Sequence, residues 1–426
     1  MYYSVDGIFF GTPPFFKNGW RVVFHLRSRR EKIMDYPKQA CVNVSKKAAT
    51  SPLGTSGFDM RDALDPQRLT ILMWDHSVFV RHKPGDSWED FDKTLDEAVE
   101  RGYNTIRIDP MPGLVDLTRP EREISVTAEP YHPWMGGGTS TGPFGEWVIE
   151  FMEKLLDRKL RYSLSAWWLA WFTPPSPEPL DLGTTADIWL EFLAEWEKRF
   201  GFEGCVWVDL VNEYPHFPAK RRQWLIDKTG GSDFSQPWNE FVAEDANAAL
   251  DRMRREYPEL RFMLSIHGDP RWIDVPVEMD CLDVHFYADA DPRWTARTRF
   301  DELADSRALF TRTDWHAEFS DRCAKSHDAM KYMYRARQRA KLAAFAEWAE
   351  RTGAPLTTSE SWASWYYLDS PDLDWKWLLE WAEWSVEDAI DFKMWGWTPH
   401  NYCQPQFENW RDVEWHRRLT ERFLNT

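Results

Sequence analysis

Two glutamates in this chain stand where apolar, β-rich runs stop. Asn212-Glu213 follows CVWVDLV (Cys205 to Val211), with Pro215 just beyond, and Glu360 closes PLTTSE (Pro355 to Glu360). Polar and aromatic side chains end the other such runs: Asp75 and His76, Arg107 and Asp109, His267 and Asp269, His285 and Tyr287, Trp395 and Trp397. Two carboxylates facing each other across a small gap can share acid/base and nucleophilic work on a glycosidic bond. Glu213, His285, Glu360 and Asp109 could instead ligate a divalent metal through oxygen and imidazole donors, as a sugar isomerase or epimerase would. Each residue alone has a plain reading. Asn-Glu is a turn or helix start, Glu360 within SES begins a helix, and a lone His285 fills a core.

The elements between these residues decide how they meet. Eight β-like runs lie near residues 69–74, 104–109, 161–166, 205–211, 261–266, 281–287, 355–360 and 392–397. Helical patterns separate most of them. In SWEDFDKTLDEAVERGY, Ser87 is the expected cap with Asp90 at the third position. Trp88, Phe91, Leu95, Ala98 and Val99 form one face, and Gly102 ends the helix. Further helices are expected over residues 145–160, 187–200, 238–256, 328–352 and 375–391, but none is clear between the fifth and sixth runs. Strand–helix alternation with eight units predicts a (β/α)8 TIM barrel. Helix-to-strand links are short, whereas strand-to-helix links such as residues 110–144, 173–186, 214–237 and 288–327 are long. Long loops at the C-terminal face are where a barrel builds its site. Residues 1-60 read as an N-terminal extension and 61-426 as the catalytic domain. On strands four and seven, Glu213 and Glu360 face each other across the mouth.

Composition narrows the partners. A net charge of −17 argues against nucleic acid, and no run reaches the roughly 20 apolar residues a membrane helix needs. The first twenty residues make a poor signal peptide. The five cysteines (Cys41, Cys205, Cys281, Cys323, Cys403) are scattered and odd in number. They suit reduced thiols in a cytoplasm. The 27 tryptophans include Trp134, Trp168, Trp171, Trp362 and Trp365 in loops, where aromatic faces suit sugar rings or simply pack the loops down.

With these residues placed, the chain resembles the clan A glycoside hydrolases, above all the cellulase-like members. The likeness rests on Arg107 in NTIRID, Asn212-Glu213 in LVNEYP, His285 and Tyr287 in DVHFY, Glu360 in TTSE, and a Trp in KMWGW. The resemblance implies a retaining β-glycosidase acting on an oligosaccharide or small glycoside, with no cofactor and no metal. Glu213 would be the acid/base and Glu360 the nucleophile. Asn212 would bond the sugar 2-hydroxyl, Arg107 and Tyr287 would orient and ionise Glu360, and His285 would touch the acid/base or the sugar. Trp395 or Trp397 would floor the subsite, with Asp75 and Trp168 as further substrate contacts. The family's histidine at the end of strand three is absent, since the chain reads YSLSAWW there, and Trp167 or Trp168 would fill the space. On electrostatic grounds Glu360 should be ionised and Glu213 protonated near neutral pH. Trp-rich loops after strands two, three and six would wall off a pocket for short substrates. A non-catalytic carbohydrate-binding barrel is the remaining alternative, and keeping both glutamates argues against it.

Overall fold

The computed structural model describes residues 67–128, 138–169, 172–173, 177–299 and 311–426. These lie in the second of two units into which the chain divides, Asp65–Thr426. The expected extension over residues 1-60 is outside the described residues, as are Trp134 and Trp171.

The described strands are β1 (Leu69–Met73), β2 (Thr105–Ile108), β3 (Ile124–Ala128), β4 (Gly138–Gly142), β5 (Arg161–Ser165) and β6 (Phe172–Thr173). They continue with β7 (Cys205–Asp209), β8 (Phe262–Met263), β9 (Ile266–His267), β10 (Leu282–Tyr287), β11 (Leu356–Thr357), β12 (Ser361–Trp362) and β13 (Gly396–Trp397). Neighbours run in the order β12-β10-β11-β13-β1-β2-β5-β7-β8, with β9 on β10, and every pairing is parallel. Only Leu264 and Ser265 separate β8 from β9, so the two are halves of one strand. One half pairs with β7 and the other with β10, which closes the ring. β11 and β12 are likewise halves of the seventh strand, parted at residues 358–360. The result is the (β/α)8 barrel that the alternation predicts.

Its strands read as unbroken apolar runs because both faces are covered. All five residues of β1 are buried, as are the last four of β7. The helices differ in detail from expectation. The first long one spans Phe91–Glu100 and is capped by Asp90, not Ser87, because the Asp90 carboxylate accepts from the Lys93 amide at 3.0 Å. The helix expected from residue 187 starts at Leu182, where Asp181 accepts from the Thr184 amide at 2.7 Å. Helix His316–Thr352 is longer than expected at its start, and the closing helix Val413–Leu424 was not anticipated. The latter buries Trp415, Leu419 and Phe423. Between strands five and six there is only a 3-10 turn, Pro270–Asp274. The long loop after β2 contains an antiparallel hairpin, β3 with β4, joined by β6.

Candidate active site

Arg107 organises the barrel mouth. It points inward from β2, with its side chain 1% exposed. Nη2 donates to Asn212 Oδ1 at 2.6 Å, to Asp75 Oδ2 at 3.0 Å and to Glu360 Oε2 at 3.3 Å, while Nη1 donates to Ser359 Oγ at 2.8 Å. Nε lies 2.9 Å from Asp75 Oδ1. A planar guanidinium can serve several acceptors at fixed angles, which an ammonium cannot. Below it, small hydroxyl residues connect buried acids. Asp209 accepts from Ser165 at 2.9 Å and from the Ser265 hydroxyl at 2.7 Å, and Asp283 accepts from the Ser359 amide at 2.7 Å and from the Ser359 hydroxyl. Burying this many polar groups is tolerable because most of them have partners, although Asn212 Nδ2 makes no hydrogen bond among the described residues.

The two glutamates have different company. Glu360 Oε1 accepts from the Tyr287 hydroxyl at 2.5 Å. Asn401 holds that hydroxyl in place, donating to it at 2.9 Å while accepting from the Ser361 amide at 2.9 Å. Glu213 carries imidazoles on both oxygens: His285 Nδ1 lies 3.0 Å from Oε1 and His267 Nε2 3.0 Å from Oε2. The Glu213 amide donates to Ser265 Oγ at 2.9 Å. His285 Nδ1 is also 3.5 Å from Glu360 Oε2, so one nitrogen reaches both carboxylates. Ligand atoms of Glu213, His285 and Glu360 all fall within 4.8 Å of one another. In retaining glycosidases the two carboxyl groups stand about 5–5.5 Å apart. Backbones at the strand tips are left-handed without being glycine: φ is +42° at Asp75, +56° at Met111, +52° at Trp168 and +49° at Glu213. Such conformations cluster at functional sites because surrounding structure must hold them.

Electrostatics divide the pair in the direction opposite to the sequence expectation. Burial and the Glu213 charge lift Glu360 to about 7, against the pull of His285 and Arg107. Burial alone would raise Glu213 too, but His267 and His285 hold it well below the ordinary carboxylate value. His285 itself rises to about 10, burial being outweighed by Glu360, Asp283 and its bond to Glu213. Neighbouring carboxylates cannot both ionise freely, so the free site keeps one proton between them, on the Glu360 side. The difference arises from His267, whose contact with Glu213 the tip pattern alone did not reveal.

A stability effect follows. Glu360 rises from 4.5 unfolded to about 7 folded. The folded state therefore binds the extra proton in that window, and stability falls as pH climbs through it. At roughly 1.4 kcal/mol per unit the penalty is on the order of 3 kcal/mol, complete above about pH 7. Glu360→Gln should therefore raise the melting temperature by several degrees more at pH 8 than at pH 5. Equal shifts at both pH values in differential scanning calorimetry would contradict this.

The structure brings Arg107, Asp75, Asn212, Glu213, His285, Tyr287 and Glu360 together. Three expected residues lie elsewhere. Trp397 points outward, its indole donating to Ser385 Oγ at 2.8 Å and its ring packing on Phe423 at 5.5 Å. Trp395 lies at the opposite end of the barrel, near Trp207 and Arg261. The physical reason is register. Gly396 and Trp397 pair with Leu69 and Thr70, at the start of β1, so the eighth tip comes later, near Asn401. Trp168 is 3% exposed and its indole donates to the Leu210 carbonyl at 2.9 Å, a carbonyl shared with Trp189, so it packs behind the rim. Trp167 takes the inward place, donating to Asp75 Oδ2 at 2.8 Å. Asn401 was missed; its signal was an amide shortly after the last β-like run, in TPHNY.

As a metal site the cluster is poorly provided. Asp109, the fourth ligand of that reading, accepts instead from the Met111 amide at 2.8 Å and the Trp167 amide at 3.0 Å. Glu360 is already held by Tyr287 and Arg107, and Glu213 by two imidazoles. An adjacent guanidinium disfavours a second cation.

Known proteins resemble this chain over most of its length. Residues 71–424 match the model of a family described as cellulase-like, sugar-binding. Among solved structures, a Parabacteroides distasonis protein provisionally classed as a glycoside hydrolase superposes with a TM-score of 0.71. It has 26% identity over 84% of this chain and 94% of its own. More distant are the cellulose synthase subunit Z of Clostridioides difficile (TM-score 0.46, 12% identity, 84% of this chain and 100% of that one) and a Pyrococcus horikoshii endocellulase (0.46, 13%, 83% and 92%). A search of curated proteins by sequence finds no match.

Proposed function

Because the chain belongs to the sugar-binding, cellulase-like family, we propose that it is a retaining glycosidase that cleaves a β-glycosidic bond in an oligosaccharide or small glycoside. One observation carries this reading: two buried carboxylates share a histidine, and only Glu360 is also gripped by an arginine and a tyrosine. Those two partners are the ones a nucleophile needs to be aimed and, at the moment of attack, ionised.

In the first displacement a Glu360 oxygen bonds to the anomeric carbon while Glu213 gives its proton to the departing oxygen. The glycosyl ester removes the charge on Glu360. Glu213, now ionised, takes a proton from water as that water attacks the anomeric carbon and the ester bond breaks. Before the first step the shared proton must move from Glu360 to Glu213. His285 Nδ1, within reach of both, can give a proton to Glu213 and take one from Glu360. Asn212, whose Oδ1 accepts from Arg107, is the residue assigned to the sugar hydroxyl beside the anomeric centre in this reading. With Trp395 and Trp397 away from the mouth, aromatic surface falls to Trp365, whose ring centre is 6.4 Å from that of Tyr287. The described cysteines, Cys205, Cys281, Cys323 and Cys403, are all unpaired, and a cytoplasmic location is part of the proposal. No described helix is long and apolar enough to cross a membrane.

The test is trapping with a panel of 2-deoxy-2-fluoro glycosides followed by peptide mapping. A label on Glu360 is the expected result. A hydrolysed sugar whose fluoro analogue labels another residue would overturn the assignment.

A further inference from the structure

His267 is the residue that the proposed chemistry does not use. It ends β9, in register with His285 on β10. The two imidazoles therefore stand side by side and flank one carboxylate, His285 at Oε1 and His267 at Oε2 of Glu213, each at 3.0 Å. They differ in exposure. The His285 side chain is fully buried among Asp283, Glu360 and Arg107, whereas that of His267 is 24% exposed. The His267 and His216 rings meet edge to face, with centres 4.5 Å apart.

An acid/base must present an oxygen to the glycosidic oxygen. With an imidazole nitrogen 3.0 Å from each Glu213 oxygen, His267 stands in the approach to Oε2. Resting on the glycosidase reading, we propose that His267 is a positioning residue that clamps Glu213 Oε2 in the free enzyme and is displaced when the leaving-group side of the substrate enters. Displacement frees the oxygen that must meet the glycosidic bond. It also removes one of the two contacts that keep Glu213 ionised, so the shared proton can cross from Glu360 by way of His285. The clamp thereby ties protonation of Glu213 to occupancy: before the first displacement, a sugar bound without a group on the leaving side leaves Glu213 ionised, whereas the second displacement needs it ionised. His267 is the member suited to move because it lies on the open side, while His285 is fixed from behind.

The charged and titratable groups around His267 are few. Glu213 and His216 face it from the segment after β7, and Arg222 stands beyond His216. His285 faces it across Glu213 from β10. On its own segment Asp269 is engaged by Arg271, with the charge of Lys341 nearby.

Two measurements on the full chain test the clamp. In protein carrying 13C at the histidine Cε1 positions, the His267 NMR signal is assigned by its loss in His267→Gln. At one fixed pH that signal and the His285 signal should move most of all the histidine signals in Glu213→Gln, because each ring loses a carboxylate oxygen at 3.0 Å. A His267 signal unmoved by Glu213→Gln overturns the proposal whether or not the protein hydrolyses anything. The second readout is the pH profile of kcat/KM for His267→Gln on an aryl glycoside cleaved by the wild type. The alkaline limb should move up by about one pH unit, roughly tenfold more activity beyond the wild-type limb, because the pair then holds its proton more tightly. A limb that stays in place while activity falls uniformly would leave His267 a packing residue. If no aryl glycoside is cleaved, the glycosidase reading fails and the NMR result alone decides whether the clamp exists.

Discussion

Glu360→Ala is expected to lose hydrolysis by about 10⁴-fold or more, the scale of removing a nucleophile from a covalent mechanism. Glu213→Ala should behave differently. Against unactivated glycosides it should fall by a similar factor, because the departing oxygen then leaves without a proton. Against a dinitrophenyl glycoside, whose leaving group needs no acid, ester formation should stay fast while its breakdown stalls. A pre-steady-state burst followed by slow turnover is the signature, and external azide should restore turnover by replacing the water that Glu213 no longer activates. The asymmetry distinguishes the two carboxylates. If Glu213→Ala shows no leaving-group dependence, or Glu360→Ala retains more than a hundredth of wild-type kcat, the roles are wrong.

Arg107→Lys is expected to damage both fold and site, although it keeps the charge. Five acceptor atoms on Asp75, Asn212, Ser359 and Glu360 surround the guanidinium. A lysine ammonium at the end of a flexible stem reaches only some of them. Breaking a buried pair of this kind costs about 3–5 kcal/mol, which at the entropy of unfolding of a large domain is a fall of roughly 5–10 °C in melting temperature. Activity should drop by about a hundredfold beyond that, since Asn212 and Glu360 are aimed by the same nitrogen. Thermal denaturation and kcat/KM on folded protein check the two parts separately. A melting temperature within two degrees of wild type would mean that the network redistributes around the loss.

Much of this arrangement was legible in the chain because the barrel imposes a simple rule: chemistry belongs where apolar runs end. Glu213, Glu360, Arg107 and Tyr287 obey it and meet in space. The rule failed where a run's end was not the strand's end. KMWGW looks like a strand closing at Trp397, yet its pairing with Leu69 and Thr70 leaves the tip residues further along, at Asn401. Helix boundaries slipped for a similar local reason. Asp90 and Asp181 cap with side-chain geometry that the apolar pattern does not report. His267 was visible at a strand tip, but its grip on Glu213 depends on the register of β9 with β10, a long-range fact that no local pattern encodes. The hairpin inside the loop after β2 was hidden by its glycine- and threonine-rich β4, which reads as a flexible link.

The left-handed backbone at Glu213 has an evolutionary side. At φ +49° a side chain is held at a cost of about 1 kcal/mol that glycine does not incur. One base change converts a glutamate codon into a glycine codon. A descendant of this gene could therefore lose the carboxylate proposed as its acid/base by the smallest possible genetic step, relax its backbone in doing so, and keep Arg107, Asn212 and the rest of the mouth intact. On the proposed function, selection for turnover and not for folding would hold a glutamate at this position. A lineage released from that selection would drift toward a barrel that grips sugars without cutting them.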